Sequence, residues 1–563
     1  MPTPPASRAN AVPAHSVATQ PAWLRPLVIA LAVVALLSMF TAPAGDPDTW
    51  FHLRTGAYIV EHHKLPDPDP FSWTTYLGQP AYPGEAMTRD LNIKHEWGAQ
   101  TILYLAYAAG GFGGLVLFRA CCLIAFCGVL GWVVWRRTAR FYMAIAATVA
   151  AAMMARTVAT DRPYLITYLL MAVSIWIFER RRPLWVLPPL FILWANAHGG
   201  YFMGWVIAGA YCAEALWQRL RKHPPADEKT LWMASVAAIL ASGLNPTFFT
   251  VVPGMLAYRQ SALQRSLKEW HSPDLWPLSW YSGLLIAGVI VLLWQYRRAR
   301  VADWLMFAVF AGLSLMAQRN VILIGVIAPI VIMSYLPEWK LPPMAAFIAP
   351  LVLLAIAGER VVSGQAFQLR MDAWQYPAGP VKFLKDHNVR EPMFNIYESG
   401  GYLMWDAWPL QKTFVDGRAL NESVFQDYMK IALNYRDAQP LLDRYGVQVL
   451  LLQGFEYWRG TVYMLSAALA DPSQSKWKLV YQDRTGLVFM RTPPDGVQPL
   501  NPQEVFASLD AQCTDHLVHE PGKPGCAVGL ADVYTKLGQR DRAAQWLAAY
   551  EQVRNGSFHA ASH

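Results

Sequence analysis

The sequence predicts an α-helical protein that crosses a membrane many times, followed by a mixed α/β domain and a short helical tail. Hydrophobic residues make up 54% of the 563-residue chain and charged residues only 15%, whereas a soluble domain usually carries about 25% charge. The 24 tryptophans and 25 tyrosines fit this class, because these side chains concentrate at the bilayer interface. The net charge of +8 does not indicate a nucleic-acid partner, since Arg and Lys fall in short clusters between apolar segments.

Long apolar segments define a transmembrane domain over residues 23–362. Residues 1–22 are rich in Pro, Ala, Ser and Thr, and we expect them to form a disordered cytoplasmic N-terminus. The first apolar segment lacks a convincing small-residue cleavage site and is interpreted as a retained anchor. We count about eleven spans, several shorter than the roughly 20 residues that cross a bilayer comfortably. Residues 98–110 form either an extra span or a surface helix. The predicted spans are 23–42, 114–135, 142–155, 163–178, 183–197, 201–217, 231–244, 281–294, 301–317, 321–336 and 342–358.

Basic clusters predict the orientation of these spans. All of them fall on the same side as the N-terminus, and Lys and Arg in short loops are typical of the cytoplasmic side. The first long loop, residues 43–113, and the whole chain beyond residue 362 are therefore expected outside. The clusters are Arg136-Arg137-Arg140, Arg180-Arg181-Arg182, Arg219-Arg221-Lys222 and Arg297-Arg298-Arg300.

The stretch from Gly45 to Ser72 carries the first functional signal. Asp46 and Asp48 lie within a few residues of the end of the first span, and ionisable groups this close to a bilayer indicate a site. Two close carboxylates can divide the roles of general base and of metal ligand or electrostatic partner. We predict that Asp46 or Asp48 is the catalytic base, without choosing between them, and that both would bind a divalent cation, Mg²⁺ or Mn²⁺, if one is used.

Further polar motifs fall at the outward-facing ends of the spans. Arg162 and Arg319 suit an anionic group such as a lipid phosphate, which a guanidinium matches in a bidentate manner. Imidazoles at this face can donate hydrogen bonds to phosphate or to substrate hydroxyls. The predicted substrate-binding residues are His52, Arg54, His95, Glu96, Arg162, Asn196, His198, Glu269, His271 and Arg319.

Each motif also has a purely structural interpretation. An Asp-Pro-Asp sequence after a helix commonly forms a turn and cap, and Arg162 can extend to lipid headgroups. His198, which precedes two glycines, can satisfy backbone groups at a tight turn. His95-Glu96-Trp97 can begin a helix, and it lacks the second histidine of a metalloprotease motif. The presence of all these motifs on one face favours the functional interpretation.

The chain beyond the last span predicts a soluble α/β domain over residues 363–497. Helical stretches alternate there with short apolar strands, an order typical of this class. Asp416 and Arg418 are expected to hold a strand-to-loop turn rather than to reach the membrane site. The predicted helices are 380–389, 423–437 and 438–446, and the predicted strands are 392–397, 412–417, 447–454, 477–483 and 486–492.

Residues 498–563 predict a linker and a helical tail. Residues 530–553 resemble a single tetratricopeptide unit, and one unit is too few for a solenoid. The tail is therefore expected either to pack on its neighbour or to recruit a protein partner. Cys513 and Cys526 can pair if the tail lies in an oxidising compartment.

Several motifs carry a resemblance to a known family. DPDTWFHLRTGAYIVEHHKLPDPDPFSWT, HEWGAQTILYLAY, RPYLITYLL, LFILWANAHGGYFMG, NIYESGGYLMW and FVDGRALNE resemble a bacterial membrane family described as glycosyltransferase-like, which is similar to the GT-C superfamily. The resemblance covers roughly residues 23–500. It implies a multi-span fold, a polyprenyl-phosphate-linked sugar donor, and a catalytic acid at Asp46 or Asp48. Neither a WWDYG-type signature nor a protein-mannosyltransferase repeat is present in the sequence.

These observations predict a membrane glycosyltransferase of the bacterial inner membrane. It would move a sugar from a polyprenyl-phosphate donor to a glycan or lipid acceptor of the cell envelope, at the periplasmic face. A non-catalytic scaffold for envelope glycan assembly is the alternative. A transporter or flippase ranks last, because the spans contain few ionisable residues, mainly Arg119 and Glu214.

Overall fold

The computed structural model describes residues 21–337, 343–456 and 460–558. The expected disordered N-terminus lies outside the described residues except for its last two positions. Helices dominate the first part of the chain, and every predicted span is helical over most of its described length. The helices of this part are α1 Leu24–Phe40, α2 Asp48–His62, α3 Glu85–Lys94, α4 Trp97–Thr138, α5 Phe141–Ala155, α6 Tyr164–Arg180, α7 Leu187–Ala197, α8 Phe202–Leu220, α9 Glu228–Ala241, α10 Val251–Tyr258, α11 Ala262–Ser266, α12 Trp280–Trp294, α13 Val301–Met316, α14 Ile322–Tyr335 and α15 Ile348–Val362.

The apolar helices make this a membrane protein by length and composition. Within the described ranges, four helices are long and apolar enough to cross a bilayer: Glu85–Thr138, Phe141–Val158, Gln318–Tyr335 and Met344–Val362. Shorter apolar helices are Leu24–Phe40, Leu184–Ala197, Trp280–Trp294 and Val301–Met316. The count of about eleven spans therefore stays a prediction.

The stretch 98–110 and the predicted span 114–135 form two helices that are joined by a sharp break. The label α4 covers both helices, and the break lies at Gly110 and Gly111, whose backbone angles are not helical. Gly111 has a φ of +58°, a conformation that glycine adopts without steric penalty. Residues 98–110 thus form a helix of their own, and its assignment as an extra span or a surface helix stays a prediction.

One end of the helix bundle carries a buried ion-pair network. Arg137 at the end of α4 donates to both carboxylate oxygens of Asp303 at 3.0 Å. Glu179 at the end of α6 accepts from Arg137 and Arg300, each at 2.8 Å. Both arginines belong to the predicted basic clusters, and the structure pairs them with acids. Asp303 lies inside a predicted apolar span and Glu179 directly follows another, so their pairing was not visible in the sequence.

Helix α2 lies between the helix bundle and the C-terminal domain. It packs against α4 on one side and against the helix Gly400–Asp406 (α17) of the C-terminal domain on the other. Trp50 on α2 is 5% exposed and makes edge-on contacts with Tyr376 and Tyr402 at ring distances of 5.1 and 5.0 Å. Burial of a large aromatic side chain at such a junction fixes the two parts against each other.

The C-terminal domain contains a four-stranded mixed sheet in the order β1-β2-β4-β3. Strand β1 pairs parallel to β2, and the other neighbours pair antiparallel. The predicted strand at 412–417 is wrong: Thr413 forms only an isolated bridge to Ser72 of the first long loop. The strands are β1 Met393–Asn395, β2 Val449–Leu452, β3 Lys478–Asp483 and β4 Gly486–Met490, and the helices are α16 Ala378–Asp386, α17 Gly400–Asp406, α18 Glu422–Ala432, α19 Ala438–Arg444 and α20 Met464–Ala468.

The helical tail packs into the same core as the sheet. It consists of α21 Val505–His519, α22 Gly525–Lys536 and α23 Arg540–Arg554. Leu509 and Leu517 are buried in one cluster with Phe394 and Leu450 of the sheet. A disulfide joins Cys513 to Cys526. Of the two expectations for the tail, the structure shows packing on its neighbour.

Candidate active site

Asp46 and Asp48 lie in the turn between α1 and α2. Asp48 is the first residue of α2, where the helix N-terminus favours a negative charge. Its backbone N–H donates to Oδ1 of Asp46 at 3.0 Å. The turn-and-cap geometry expected of Asp-Pro-Asp is thus present. It leaves Asp46 with a side chain 5% exposed and Asp48 with one 23% exposed.

Arg162, in the turn before α6, joins both carboxylates. Its Nε and Nη2 donate to Oδ2 and Oδ1 of Asp46 at 2.7 and 2.9 Å, a planar bidentate pair. Its Nη1 lies 2.9 Å from Oδ2 of Asp48 and 4.0 Å from Oε2 of Glu269. One guanidinium therefore stands among three carboxylates.

A buried ion pair holds the segment that carries Arg162. Arg119 on α4 is 1% exposed, and it donates to Oδ2 of Asp161 at 2.7 Å and to the carbonyl of Phe40 at 3.1 Å. It also donates to the carbonyl of Ala42. The end of α1 and the turn before α6 are thereby tied to one side chain, which explains why Arg162 meets Asp46.

Glu269 links Arg162 to a second arginine. Oε1 of Glu269 lies 3.3 Å from Nη1 of Arg319, and the Arg319 guanidinium lies over the Trp270 ring at 4.5 Å. The side chain of Arg319 is 36% exposed. Trp270 supports it by a cation–π contact, so Arg319 is held in place and still accessible.

Glu96 stands among three imidazoles next to this site. Its Oε1 lies 3.3 Å from Nε2 of His95 and 3.4 Å from Nε2 of His198. Its Oε2 lies 3.7 Å from Nδ1 of His52. Residues that are distant in sequence thus converge on one carboxylate.

The partners of the imidazoles define their protonation. His198 Nδ1 accepts from the backbone N–H of Gly200 at 2.9 Å, which leaves Nε2 as the protonated nitrogen facing Glu96. His95 Nδ1 lies 2.6 Å from the carbonyl of Leu91, while its Nε2 faces Glu96. Both nitrogens of His95 meet acceptors, so His95 is the cationic imidazole of the cluster.

Burial sets the charge of the other two imidazoles. Burial lowers the pKa of His52 to about 4, against the opposing effect of Glu96. Burial likewise lowers the pKa of His198 to about 3. Both rings are therefore neutral near pH 7 and act as hydrogen-bonding groups rather than as cations.

The two aspartates are separated in pKa. Burial raises the pKa of Asp48 to about 7, with Arg162 opposing and the neighbouring Asp46 and Glu269 adding to the rise. Burial also acts on Asp46, but the bidentate Arg162 outweighs it and holds the pKa of Asp46 below its usual value. Pairs of carboxylates whose pKa values are pushed apart are typical of acid–base sites. Asp48 is the carboxylate suited to exchange a proton.

The C-terminal domain reaches this site through the VDGR turn. Arg418 donates to Oδ1 of Asp416 at 2.8 Å and to Oδ1 of Asp69 at 2.7 Å. Asp416 and Arg418 therefore hold the turn as expected, and Arg418 also binds it to Asp69 of the first long loop. Gly417 between them lies against Asp48, since a Cβ there would stand 2.4 Å from Oδ1 of Asp48. Sequence reasoning missed Gly417; the only available signal was the family-like FVDGRALNE motif.

Three predicted residues lie apart from the carboxylates. Arg54 pairs with Glu61 at 2.6 Å and covers the Trp408 ring. His271 is exposed, and its Nε2 meets the carbonyl of Arg265 at 2.7 Å. Asn196 accepts from Trp97 at 2.9 Å and joins α7 to α4. The contacts of these side chains are structural.

The carboxylates do not fit a divalent cation as they stand. In the described part of the chain, no group of three or more His, Cys, Asp or Glu side chains converges as metal ligands do. Both oxygens of Asp46 and Oδ2 of Asp48 are instead taken by Arg162. The predicted Mg²⁺ or Mn²⁺ site at Asp46 and Asp48 therefore has its ligand oxygens already engaged.

Solved structures similar to this chain define its fold class. One is the archaeal oligosaccharyltransferase AglB from Archaeoglobus fulgidus in complex with an inhibitory peptide and a dolichol-phosphate. It has a TM-score of 0.54 and 11% identity, over 94% of this chain and 86% of that one. The oligosaccharyltransferase of the same organism tethered to an acceptor peptide has a TM-score of 0.51 and 11% identity, over 86% of this chain and 76% of that one. The apo form of that enzyme has a TM-score of 0.51 and 10% identity, over 88% of this chain and 78% of that one.

These similarities establish a GT-C-type fold, as the resemblance in the sequence predicted. At such identities they show the fold alone. No family model and no curated protein sequence matches the chain. The apolar helices and this fold together describe a membrane protein that shares its architecture with the archaeal oligosaccharyltransferases.

Proposed function

We propose that this protein is an inverting glycosyltransferase that moves a sugar from a polyprenyl-phosphate donor to a hydroxyl of a cell-envelope acceptor. The observation that carries the proposal is Asp48. It is a partly exposed carboxylate with a pKa near 7, held by Arg162 at 2.9 Å in a GT-C-type fold. A general base is most effective when its pKa lies near the working pH.

Asp48 acts on the acceptor. Its carboxylate takes the proton of the acceptor hydroxyl as that oxygen bonds to the anomeric carbon of the donor sugar. The bond between the anomeric carbon and the phosphate oxygen breaks, and the phosphate leaves with the electron pair. Attack opposite to the leaving group inverts the anomeric configuration.

Arg319 and the imidazoles act on the donor. The exposed Arg319, supported by Trp270, can donate to the departing phosphate, where a fixed cation stabilises the charge that develops. His95, cationic by its contacts with Leu91 and Glu96, adds positive charge near the departing phosphate. The AglB structure was solved with a dolichol-phosphate, which supports a lipid-phosphate donor for this chain as well.

The proposed location is the bacterial inner membrane, with a cytoplasmic N-terminus and a periplasmic C-terminal domain. Helices α4 and α6 begin at the carboxylate site and end at the arginine network that contains Arg137 and Glu179. The two sets of groups thus lie at opposite ends of the bundle, and the basic end suits the cytoplasm. The disulfide of Cys513 and Cys526 suits an oxidising compartment. A protein partner of the tail would bind its outer surface, since its inner face is buried.

Complementation of a deletion strain tests the proposal. Asp48→Asn should insert normally and fail to restore the envelope glycan, because the amide cannot take a proton. Asp46→Asn should weaken the contacts that hold Arg162, and it should reduce the amount of envelope glycan less than Asp48→Asn does. Asp274→Asn, in an exposed outer loop, is the matched control and should restore it fully. Full restoration by a normally inserted Asp48→Asn protein would favour the non-catalytic scaffold instead.

A further inference from the structure

The guanidinium of Arg162 is the centre of the carboxylate site rather than a neighbour of it. Three carboxylates point at this one group: Asp46 with both oxygens, Asp48 with Oδ2, and Glu269 with Oε2. Asp46 and Asp48 come from the turn between α1 and α2, and Glu269 comes from a distant turn at the same end of the bundle. Acids that meet one cation also hold divalent ions in other proteins, but the spacing of these three acids is not that of a metal site.

The geometry of this centre matches a guanidinium. Nitrogen-to-oxygen distances of 2.7 and 2.9 Å in a parallel pair are those of a bidentate arginine–carboxylate contact. Mg²⁺ requires oxygens at about 2.0–2.1 Å in near-octahedral order. The same oxygens of Asp46 cannot meet both groups, and its Oδ1 also accepts from the backbone of Asp48 at 3.0 Å.

The residues on either side of Arg162 also hold its backbone in place. The preceding Asp161 is 1% exposed and bound to the buried Arg119, and Pro163 follows at the start of α6. Its guanidinium stays charged at every physiological pH. Its side chain is 22% exposed, and its Nε, Nη1 and Nη2 are all directed at carboxylates, so little of its donor capacity faces a substrate.

We propose that Arg162 is a positioning residue that takes the place of a divalent metal ion and makes the carboxylate site independent of metal. It holds the carboxylates of Asp46 and Asp48 in fixed positions and keeps one positive charge between them. The departing phosphate is then received by Arg319, which has a single pairing with Glu269 at 3.3 Å and an accessible side chain. The assignment of Arg319 rests on the proposed function, whereas the exclusion of metal by Arg162 does not.

Manganese binding tests this inference on the purified full-length chain in detergent. Mn²⁺ is titrated and the free ion is followed by electron paramagnetic resonance. The wild-type protein should show no Mn²⁺ binding that depends on Asp48. Arg162→Ala should gain one Mn²⁺, with affinity raised about tenfold or more, because three carboxylates lose their cation. Arg162→Lys should not gain it, since it keeps a charge in the same place.

Two further variants serve as controls for the Mn²⁺ titration. Arg54→Ala removes an arginine of α2 that pairs with Glu61 and should bind no more Mn²⁺ than wild type. Adding Asp48→Asn to Arg162→Ala should remove the gained site. Wild-type Mn²⁺ binding that Asp48→Asn abolishes would overturn the inference, and so would an Arg162→Ala protein that folds normally but gains no site.

A second readout separates this inference from the proposed function. If transfer is measured, it should survive treatment with a chelator, and its loss on chelation would overturn metal independence. If no sugar transfer occurs at all, the proposed function fails, while the Mn²⁺ titration still decides the role of Arg162.

Discussion

Gly417 lies directly against the carboxylate of Asp48, so close that a Cβ at residue 417 would stand 2.4 Å from Oδ1. Any side chain at residue 417 would therefore have to displace the Asp48 carboxylate, because two segments far apart in sequence approach closely here. The turn is rigid because Arg418 pairs with Asp416 and with Asp69. The C-terminal domain therefore forms one wall of the carboxylate site.

Gly417→Ala should lower activity with little effect on the fold of the rest of the chain. The new methyl group must displace Asp48, and a displacement of about 1 Å at a reacting group can lower the rate about 100-fold. The measurement is transfer rate at saturating acceptor, beside the melting temperature. Gly522→Ala, where a Cβ meets no atom within 4 Å, is the matched control. Equal activity of both variants would show that this contact does not position Asp48.

Activity should rise as the pH passes upward through about 7. Burial raises the pKa of Asp48 to about that value, and the base works only when ionised, so activity should fall about tenfold per unit below it. Removing the nearby negative charge with Glu269→Gln should lower the pKa of Asp48, so activity should rise at a lower pH. Glu391→Gln, on the exposed surface of the C-terminal domain, should leave the pH profile unchanged. If Glu269→Gln does not shift the pH at which activity rises, a group other than Asp48 sets that pH.

Arg119→Met should destabilise the bundle. The change leaves Asp161 buried without its cation and removes the donor to the Phe40 carbonyl. Breaking a buried ion pair from one side costs about 3–5 kcal/mol. The melting temperature in detergent should fall clearly, and Arg156→Met, at an exposed position, should change it little. An unchanged melting temperature would show that this pair does not brace α1 against α6.

The C-terminal tail should prove to be periplasmic. An alkaline phosphatase fused after the tail should be active, because that enzyme folds only in an oxidising compartment. In cells treated with a thiol-blocking reagent, Cys513 and Cys526 should stay unlabelled until they are reduced. The same phosphatase fused after Arg298, in a predicted cytoplasmic loop, should be inactive. An inactive C-terminal fusion would overturn the proposed orientation.

The sequence by itself determined the class of protein. Low charge, interfacial aromatics and recurrent apolar segments identify membrane helices because a bilayer demands long apolar stretches. The strands at 447–454, 477–483 and 486–492 were also visible, since short apolar runs between turn residues are local signals. The polar motifs at span ends marked the site for the same reason: polar groups near a bilayer stand out against apolar sequence.

Only the tertiary structure decided which of these polar residues act together. Asp46 and Asp48 look equivalent in sequence, and it is the bidentate contact of Arg162 with Asp46 that separates them. Arg54 and His271 looked as promising as Arg319, but they meet other partners. Contacts such as Gly417 with Asp48 join residues hundreds of positions apart. No local pattern encodes such contacts, because burial and charge pairing depend on how the helices and the C-terminal domain pack.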